Sequence, residues 1–379
     1  MLFVIFIIVA SLLTIKGACA LSGSASTEHS NESISMQSEP KSTSNSASVL
    51  NKMTIKEHFE MYWKFFFEKG EKTPEELLPQ QKLDLAELFT GGGNDLKAAW
   101  LGHSSLLINI DGYSILTDPI FESKVSLVGP TRFNKKLPLD IEELHAVDVV
   151  IISHDHYDHL NKHSVQQLSR KAGLFIVPLR VGKLLVKWGI PEKKIVELNW
   201  WEEFHLDSKL IIAATPSQHF SGRGLFDKNI TLWASWVIKT DNHSIFFSGD
   251  SGYFGGFKEI EKKYGPFDVT FLECGAYNQQ WSNIHMFPEQ TVQAFLDLGG
   301  NILQPVHWAT FNLALHAWYE PIERLTNAAF EKGSSLSIPL MGQVVNYQKS
   351  VTANPWWRPV MEKSHNKINQ QQLLTSSNQ

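Results

Sequence analysis

The sequence is poor in cysteine and carries no excess of positive charge. Its 379 residues include two cysteines, Cys19 and Cys274, so neither a disulfide framework nor a cysteine-rich zinc site is available to the fold. The 34 basic residues are outnumbered by 39 acidic ones, which gives a net charge of −5. That balance offers no basic surface for nucleic acid. The apolar fraction of 43% is, in contrast, enough for a large buried core.

The N-terminus contains an apolar run that is too short for a typical membrane-spanning helix. Residues 2–15 form this run of 14, whereas a spanning helix needs about 20 residues. The sequence Ala18-Cys19-Ala20 follows, and small residues at its two ends are typical of a signal-peptide cleavage site. Residues 1–20 therefore predict a signal peptide and an exported, periplasmic or envelope-associated protein. Lipidation of Cys19, or retention of the run as a membrane tether, are the alternatives.

Composition divides the rest of the chain into four segments. Residues 21–50 are rich in serine and are predicted to be a disordered linker. Residues 51–95 are predicted to be an N-terminal helical segment, in which "KTPEELLP" begins a second short helix and the aromatic residues contact either the core or a membrane. Residues 96–350 are predicted to be the main domain, and residues 351–379 a polar C-terminal tail.

The main domain alternates short apolar strands with amphipathic helical stretches. The segment 97–119 reads as two strands joined by a hairpin turn at Asp111-Gly112, the second ending at Thr117-Asp118, and "AVDVVIIS" reads as a fully buried strand. Helical spacing recurs in 162–172 and 255–264, among other stretches. Strands in succession with interspersed helices predict a layered α/β domain, and the hairpins predict that its sheets are mixed.

Directly after the buried strand the chain reads "ISHDHYDHL", residues 152–160. Side chains alternate along an extended segment, so His154, His156 and Asp158 are expected on one side of the strand exit. His159 then turns inward where the next helix begins. Imidazole and carboxylate groups suit zinc and its first-row neighbours. A solvated charged loop is the alternative, but this density of ligands after a buried strand favours a metal centre.

Three further candidate residues follow apolar strands. His219 comes after "LIIAATP", Asp250 after "SIFFSG" and His307 after "NILQPV". Ligands gather at strand ends in α/β sheets. His219 or His307 alone reads as an ordinary loop histidine, but the three residues together with the histidine-rich segment predict one site.

These motifs resemble the metallo-β-lactamase-fold hydrolases. More narrowly, the chain is similar to the N-acyl-phosphatidylethanolamine-hydrolysing phospholipase D branch and its bacterial relatives. The resemblance covers about residues 95–325, and the segments that carry it include "WLGHSS", "ILTDP", "GPTRF", "ISHDHYDHL", "HFSGRGLFD", "FFSGDSGYF", "HMFPEQ" and "VHWATFNLALH".

The resemblance implies a four-layer αβ/βα sandwich with two zinc ions at one sheet edge. It assigns His154, His156 and His219 to one ion, and Asp158, His159 and His307 to the other. Asp250 would bridge both ions and take part in catalysis. Every expected position holds the expected residue type, so a catalytically silent metal-binding protein of the envelope is disfavoured.

Four residues are candidates for the surroundings of the metals. The resemblance places a catalytic imidazole that is not a ligand at His285, where it would bind the substrate oxyanion or protonate the leaving alkoxide. Asp118 is a candidate partner for a ligand histidine, and His103 either lines the site or makes a buried structural hydrogen bond. Arg223 would either clamp a phosphate or pair with Asp227.

The resemblance implies a zinc-dependent phosphodiesterase that acts on N-acyl phosphatidylethanolamine-type lipids. Membrane surface contact follows from that substrate, and tryptophans such as Trp236 and Trp308 would supply an apolar approach unless they are core residues. The alternative is a lactonase or a sugar-phosphate-type hydrolase of small molecules. A nuclease of the same fold is disfavoured by the charge balance. Nothing in the sequence indicates the oligomeric state.

Overall fold

A computed structural model of the chain describes Trp63 and residues 71–364, except 92, 128, 225, 350 and 352. The predicted signal peptide (1–20), the linker (21–50) and most of the helical segment 51–95 lie outside the described residues. Among the residues that are described, no helix combines the length and the apolar character needed to cross a membrane.

The first sheet has seven strands in the order β13-β1-β2-β3-β4-β5-β6. Pairing is antiparallel from β13 to β3 and parallel from β3 to β6, so the sheet is mixed. Its strands are β1 Leu96–Gly102, β2 Ser105–Ile110, β3 Tyr113–Thr117, β4 Val147–Ile151, β5 Ala172–Pro178, β6 Ile195–Leu198 and β13 Val344–Asn346.

The second sheet has six strands in the order β12-β11-β10-β9-β8-β7. Strands β10, β11 and β12 are parallel, whereas the pairs from β10 to β7 are antiparallel. Its strands are β7 Glu203–His205, β8 Ile211–Thr215, β9 Ser235–Lys239, β10 Ser244–Phe247, β11 Phe267–Glu273 and β12 Gly300–Val306. Both sheets are therefore mixed, as predicted.

Helices cover the outer faces of both sheets. The helices whose two ends lie within the described residues are α1 Leu85–Phe89, α2 Lys162–Leu168, α3 Gly182–Lys187, α4 Gly256–Tyr264, α5 Pro288–Asp297 and α6 Glu320–Glu331, with 3₁₀ turns at Glu192–Lys194 and Gln279–Trp281. Apolar side chains of α2 and α3 share one core cluster with the outer face of the first sheet. Those of α4, α5 and α6 pack with the second sheet.

Strand β4 shows how the layers form from the sequence. Val149 and Ile151 belong to the core between the sheets, whereas Val150 belongs to the outer cluster beneath α2 and α3. A strand that is buried on both faces reads as a continuous apolar run because side chains alternate between two cores. The layered α/β prediction is confirmed.

Two sequence predictions about local structure are wrong. Segment 97–119 contains three strands, because the chain turns at His103-Ser104 between β1 and β2. The helix expected at "KTPEELLP" is not formed, and α1 begins later, where the Asp84 side chain accepts a hydrogen bond of 3.0 Å from the Glu87 backbone N–H. A capping carboxylate, which satisfies a free N–H of the first turn, decides the start of this helix.

The predicted polar C-terminal tail at 351–379 contains an ordered part within the described residues, which reach 364. Residues 358–364 are helical, and Trp357 is fully buried. The Trp356 ring stacks on Trp308 with ring centroids 5.3 Å apart. Two adjacent tryptophans carry enough apolar surface to repay the ordering of a short segment that is otherwise polar. Trp308 and Trp236 are likewise core residues, as the alternative interpretation held.

Candidate metal centre

The candidate site lies where strands of both sheets end. The first sheet contributes the segment that follows β4, with Asp118 after β3 and His103 after β1. The second sheet contributes Asp250 after β10 and His307 after β12. Because β10, β11 and β12 are parallel, their carboxyl ends meet at one edge, and the side chains that follow them converge there.

Backbone conformation at this edge is unusual for residues other than glycine. His103, Asp118 and His307 have φ values of +53°, +36° and +65°, in the left-handed region that such residues rarely adopt. Strained conformations of this kind persist only when the surrounding structure holds them, and they concentrate at functional sites.

One group of donors consists of His154, His156, His219 and Asp250. Their ligand atoms all lie within 4.8 Å of one another. His156 Nδ1 is 2.8 Å from His154 Nε2 and 3.2 Å from His219 Nε2. Nitrogens that bind one ion at tetrahedral positions are roughly 3.3 Å apart, since each bond is about 2.0–2.1 Å long. The three imidazoles are therefore close to the arrangement that a metal ion requires.

The second group consists of His103, Asp158, His159 and His307, again within 4.8 Å. Asp158 Oδ2 lies 3.4 Å from His159 Nε2 and 3.6 Å from His307 Nε2. His103 Nε2 is 2.9 Å from the same oxygen, so His103 is placed to donate a hydrogen bond to a candidate ligand carboxylate. His103 therefore fits both of the roles that the sequence suggested. It lines the site, and it makes a buried hydrogen bond there.

Asp250 is shared by the two groups. Its Oδ2 is 3.7 Å from His219 Nε2 and 3.1 Å from His159 Nε2, and its Oδ1 is 3.2 Å from His307 Nε2. A carboxylate has two oxygens, and here they reach donors on both sides. Asp250 Oδ2 thus lies close to imidazoles of both groups, and the role of Asp250 as a bridge between two ions stays a prediction.

Several donor atoms lack the hydrogen bonds that buried polar atoms usually make, which is consistent with a metal site. His159 Nε2, His307 Nε2 and Asp250 Oδ1 are buried and make no hydrogen bond of good geometry, although Asp250 oxygens lie 3.1 and 3.2 Å from the two nitrogens. Buried polar atoms without partners cost free energy, and metal coordination would satisfy all three. Imidazole and carboxylate donors without thiolate match zinc and similar divalent ions.

Hydrogen bonds behind the site fix the direction of three imidazoles. His159 Nδ1 donates to Asp118 Oδ2 at 2.7 Å, and His219 Nδ1 donates to the carbonyl oxygen of Ile284 at 3.0 Å. Ser153 Oγ donates to Asp118 at 2.6 Å and therefore accepts from His154 Nδ1 at 2.9 Å. Each Nδ1–H is engaged, so each Nε2 faces the donor group. Asp118, predicted as a partner of a ligand histidine, lies in hydrogen-bond contact with His159, whereas sequence reasoning missed Ser153.

Electrostatics favour the metal-binding protonation state at His154, His219 and Asp250. Burial holds the pKa of His154 and of His219 well below the usual histidine value, which favours neutral imidazole. Burial would raise the pKa of the Asp250 carboxyl, but His159 and His307 hold it well below its usual value. Asp250 is therefore ionised despite being buried. At His159 and His307 burial is outweighed by the Asp250 carboxylate, which raises the imidazole pKa, so an ion would have to displace a proton from each.

Asp118→Asn is expected to weaken metal binding by about 10–100-fold, the usual effect of removing a hydrogen-bond partner of a ligand histidine. Asp118 also accepts a hydrogen bond of 2.7 Å from the Ser153 backbone N–H at Oδ1. The amide keeps the size of the carboxylate but presents an NH₂ group to the donors on one side, so the hydrogen bonds that orient His159 and His154 are disturbed. Competition with a chromogenic chelator measures the change in affinity.

Asp148→Asn is the matched control for this prediction. Asp148 accepts hydrogen bonds from Ser114 N and Ser114 Oγ at 2.8 and 2.7 Å, a pattern like that of Asp118 with Ser153, but near the opposite end of β4. The control is expected to keep its metal affinity. Equal affinities in the two variants would show that Asp118 does not act through the ligands.

His285 lies beside the donors. Its Nε2 is 4.0 Å from Asp250 Oδ2, and its ring centroid is 5.1 Å from that of His219. Its Nδ1 is 3.3 Å from the Glu273 carboxylate. Glu273, which ends strand β11, was missed from the sequence although it carries the same strand-end signal as Asp250 and His307.

Arg223 does not lie free in the site. Its Nη1 donates to the carbonyl oxygens of Asp155 and Leu160 at 2.5 and 2.8 Å, and the guanidinium lies 3.9 Å from the centroid of the Tyr157 ring. Within the part of the chain that is described, no ion pair joins this guanidinium to Asp227, which accepts from the Arg223 backbone N–H instead. Arg223 thus supports the histidine-rich segment, and its role at a phosphate stays a prediction without structural support.

The seven candidate ligands, from His154 to His307, lie within a region that matches a known family. Residues 113–308 match the family model described as the beta-lactamase superfamily domain. An uncharacterised protein of Mycobacterium tuberculosis is 45% identical over 278 residues, which is 72% of this chain and 74% of that protein. The N-acyl-phosphatidylethanolamine-hydrolyzing phospholipase D 1 of Caenorhabditis elegans is 32% identical over 269 residues, 67% of this chain and 75% of the relative.

A solved structure shows the same fold. The isothiocyanate hydrolase from Delia radicum gut bacteria superposes with a TM-score of 0.53 at 21% identity, over 66% of this chain and 98% of that one. At this identity the similarity concerns the arrangement of sheets and helices alone.

Proposed function

Because the chain belongs to the β-lactamase superfamily and has the fold of its metal-dependent hydrolases, we propose that it is a dinuclear zinc phosphodiesterase. Its expected substrate is an N-acyl phosphatidylethanolamine-type phospholipid, cleaved as a phospholipase D would cleave it. The observation that carries the proposal is the position of Asp250, whose two oxygens lie within 3.1–3.8 Å of imidazole nitrogens from both donor groups.

Two ions would be held by seven residues. His154, His156 and His219 would hold one ion, Asp158, His159 and His307 would hold the other, and Asp250 would join them. The chemistry that such a pair supplies is Lewis acidity, which polarises the substrate and activates water near neutral pH. The chain itself orients these ligands and places His285 beside them. His285 Nε2 faces Asp250 and is in position to exchange a proton with the reacting oxygens.

Aromatic rings next to the donors favour a substrate with an apolar part. The Phe220 ring centroid lies 4.5 Å from that of His156, and Phe220 is half-buried. In contrast, the Phe311 ring, whose centroid lies 5.2 Å from that of His103, is buried behind the donors. Apolar walls around a few polar groups are typical of sites that bind largely apolar molecules. The similarity to a relative named as an N-acyl-phosphatidylethanolamine-hydrolysing enzyme points the same way.

The proposed substrate agrees with the proposed cellular location. A signal peptide at 1–20 would bring the domain to the cell envelope, where phospholipids are available. Fractionation of cells and N-terminal sequencing of the mature protein test this step, and a cytoplasmic protein that retains Met1 would contradict it.

Zinc-loaded protein is expected to release phosphatidic acid from phosphatidylcholine vesicles that contain N-acyl phosphatidylethanolamine. A chelator should abolish the release and added zinc should restore it, because the chemistry depends on the ions. Product is quantified by mass spectrometry, and metal content by elemental analysis, with two equivalents of zinc expected for each chain.

Two outcomes would contradict parts of the proposal separately. If vesicles yield no product while a lactone or a sugar phosphate is hydrolysed by the same preparation, the substrate class is wrong and the hydrolase remains. If zinc-supplemented protein holds fewer than one equivalent, the dinuclear centre is wrong.

A further inference from the structure

Glu273 is a buried carboxylate at the centre of the strand ends that form the site. It is the last residue of β11, which lies between β10, the strand before Asp250, and β12, the strand before His307. Its side chain is fully buried. A charged group is almost never buried in this way unless it has a specific partner.

The partners of Glu273 lie on one short segment. Its Oε1 accepts a hydrogen bond of 2.9 Å from the backbone N–H of Met286. Both of its oxygens lie 3.3 Å from Nδ1 of His285. An ionised carboxylate only accepts hydrogen bonds, so the contact is favourable only if His285 carries hydrogen on Nδ1. The other nitrogen, Nε2, is then the one that faces Asp250, at 4.0 Å.

We propose that Glu273 is a positioning residue that holds His285 in the tautomer with hydrogen on Nδ1, and so directs the Nε2 lone pair toward the substrate. This inference rests on the proposed hydrolase function. In hydrolysis of a phosphodiester, the water oxygen bonds to phosphorus, and Nε2 accepts the proton that the water loses. The bond from phosphorus to the leaving oxygen breaks, and its electron pair stays on that oxygen. Nε2 then returns the proton to the leaving oxygen, so atoms and charge balance.

A purely structural role for Glu273 would lie in its bond to the Met286 backbone. Glu273→Gln separates the two roles, because the amide oxygen can still accept that N–H. The amide NH₂ then faces Nδ1 of His285 and can only donate to it. Hydrogen is thereby forced onto Nε2, which is the wrong tautomer for accepting a proton.

Glu273→Gln is expected to lower turnover of the synthetic diester bis(p-nitrophenyl) phosphate by about 10²–10⁴-fold, the range for a positioned acid-base group. Zinc content and the thermal unfolding midpoint are expected to change little. The matched control is Glu197→Gln. Glu197 lies on strand β6, and its Oε1 also accepts a hydrogen bond from a backbone N–H, that of Gly182, at 2.7 Å. The control should keep full turnover.

Two further measurements separate positioning from a structural effect. Combined with His285→Ala, the Glu273→Gln change should cause no additional loss, because residues that act as one unit are non-additive. Losses that multiply in the double variant would overturn the proposal. In ¹⁵N-histidine spectra of the zinc-loaded protein, the His285 signal, assigned by its absence from His285→Ala, should show hydrogen on Nδ1.

The spectrum of the wild-type protein tests the tautomer of His285 directly. It requires neither a substrate nor a folded Glu273→Gln variant. Hydrogen on Nε2 in the wild-type protein would overturn the proposal, even if Glu273→Gln does not fold. If the wild-type spectrum shows hydrogen on Nδ1 while no phosphodiester is hydrolysed, the proposed function fails and the contact between Glu273 and His285 stands.

Discussion

Replacement of Asp250 by alanine is expected to remove most of the bound metal and to lower turnover by about 10³-fold or more. Its two oxygens lie near imidazoles of both donor groups, so its loss would take a ligand from both of the proposed ions. Metal chemistry of this kind contributes several kcal/mol to transition-state stabilisation, and each 1.36 kcal/mol corresponds to about tenfold in rate. Elemental analysis and steady-state kinetics measure the two effects.

A comparison with His219→Ala tests whether Asp250 bridges the groups. His219 belongs to one donor group only. Its replacement is therefore expected to weaken the binding of one ion and to leave the second ion bound. Asp241→Ala, at an exposed carboxylate, should alter neither metal content nor turnover. Loss of one equivalent in both Asp250→Ala and His219→Ala would show that Asp250 serves a single ion.

His285→Ala is expected to keep its zinc and to lose turnover by about 10²–10⁴-fold. The imidazole lies at the margin of the donors, with Nε2 4.0 Å from Asp250, while Nδ1 is engaged with Glu273. A group in this position acts on protons of the reacting oxygens. Zinc content and kcat measured on the same preparation separate the two functions.

The matched control for this prediction is His163→Ala, because the His163 side chain is 62% exposed and lies on helix α2. It should behave as the wild type. Loss of zinc from His285→Ala would identify His285 as a ligand, a role that its proximity to both Asp250 and His307 allows. The set of seven ligands would then have to be revised.

The candidate site could be predicted from sequence because its signals are local. The ligands of the histidine-rich segment stand directly after an apolar strand, and His219, Asp250 and His307 each follow another. Parallel strand ends meet at one edge whatever the remaining topology is. The sequence thus indicated which residues would meet, before the order of strands within each sheet was known.

Residues whose role depends on a partner distant in sequence were missed. Ser153 stands directly before His154, but its function comes from Asp118, which lies 35 positions away. Glu273 ends a strand, much as Asp250 and His307 follow strands. Its partners, His285 and Met286, lie on a loop whose position the sequence pattern does not predict. The engagement of Arg223 with the Asp155 and Leu160 carbonyl oxygens is likewise visible only when the two loops are seen together.

The C-terminal tryptophans Trp356 and Trp357 are synthesised after all of the candidate ligands, although they pack beside the last of them. Trp308 directly follows His307, and its ring is covered by Trp356 and contacted edge-on by Trp357. The ribosome adds about 5–20 residues each second, so roughly 3–10 s pass between the synthesis of His307 and that of Trp357. During that interval all seven candidate ligands have been synthesised, but Trp308, next to His307, still lacks its contacts with Trp356 and Trp357. A nascent chain or a truncated product that stops at residue 350 would therefore hold all seven donors without the support that fixes His307.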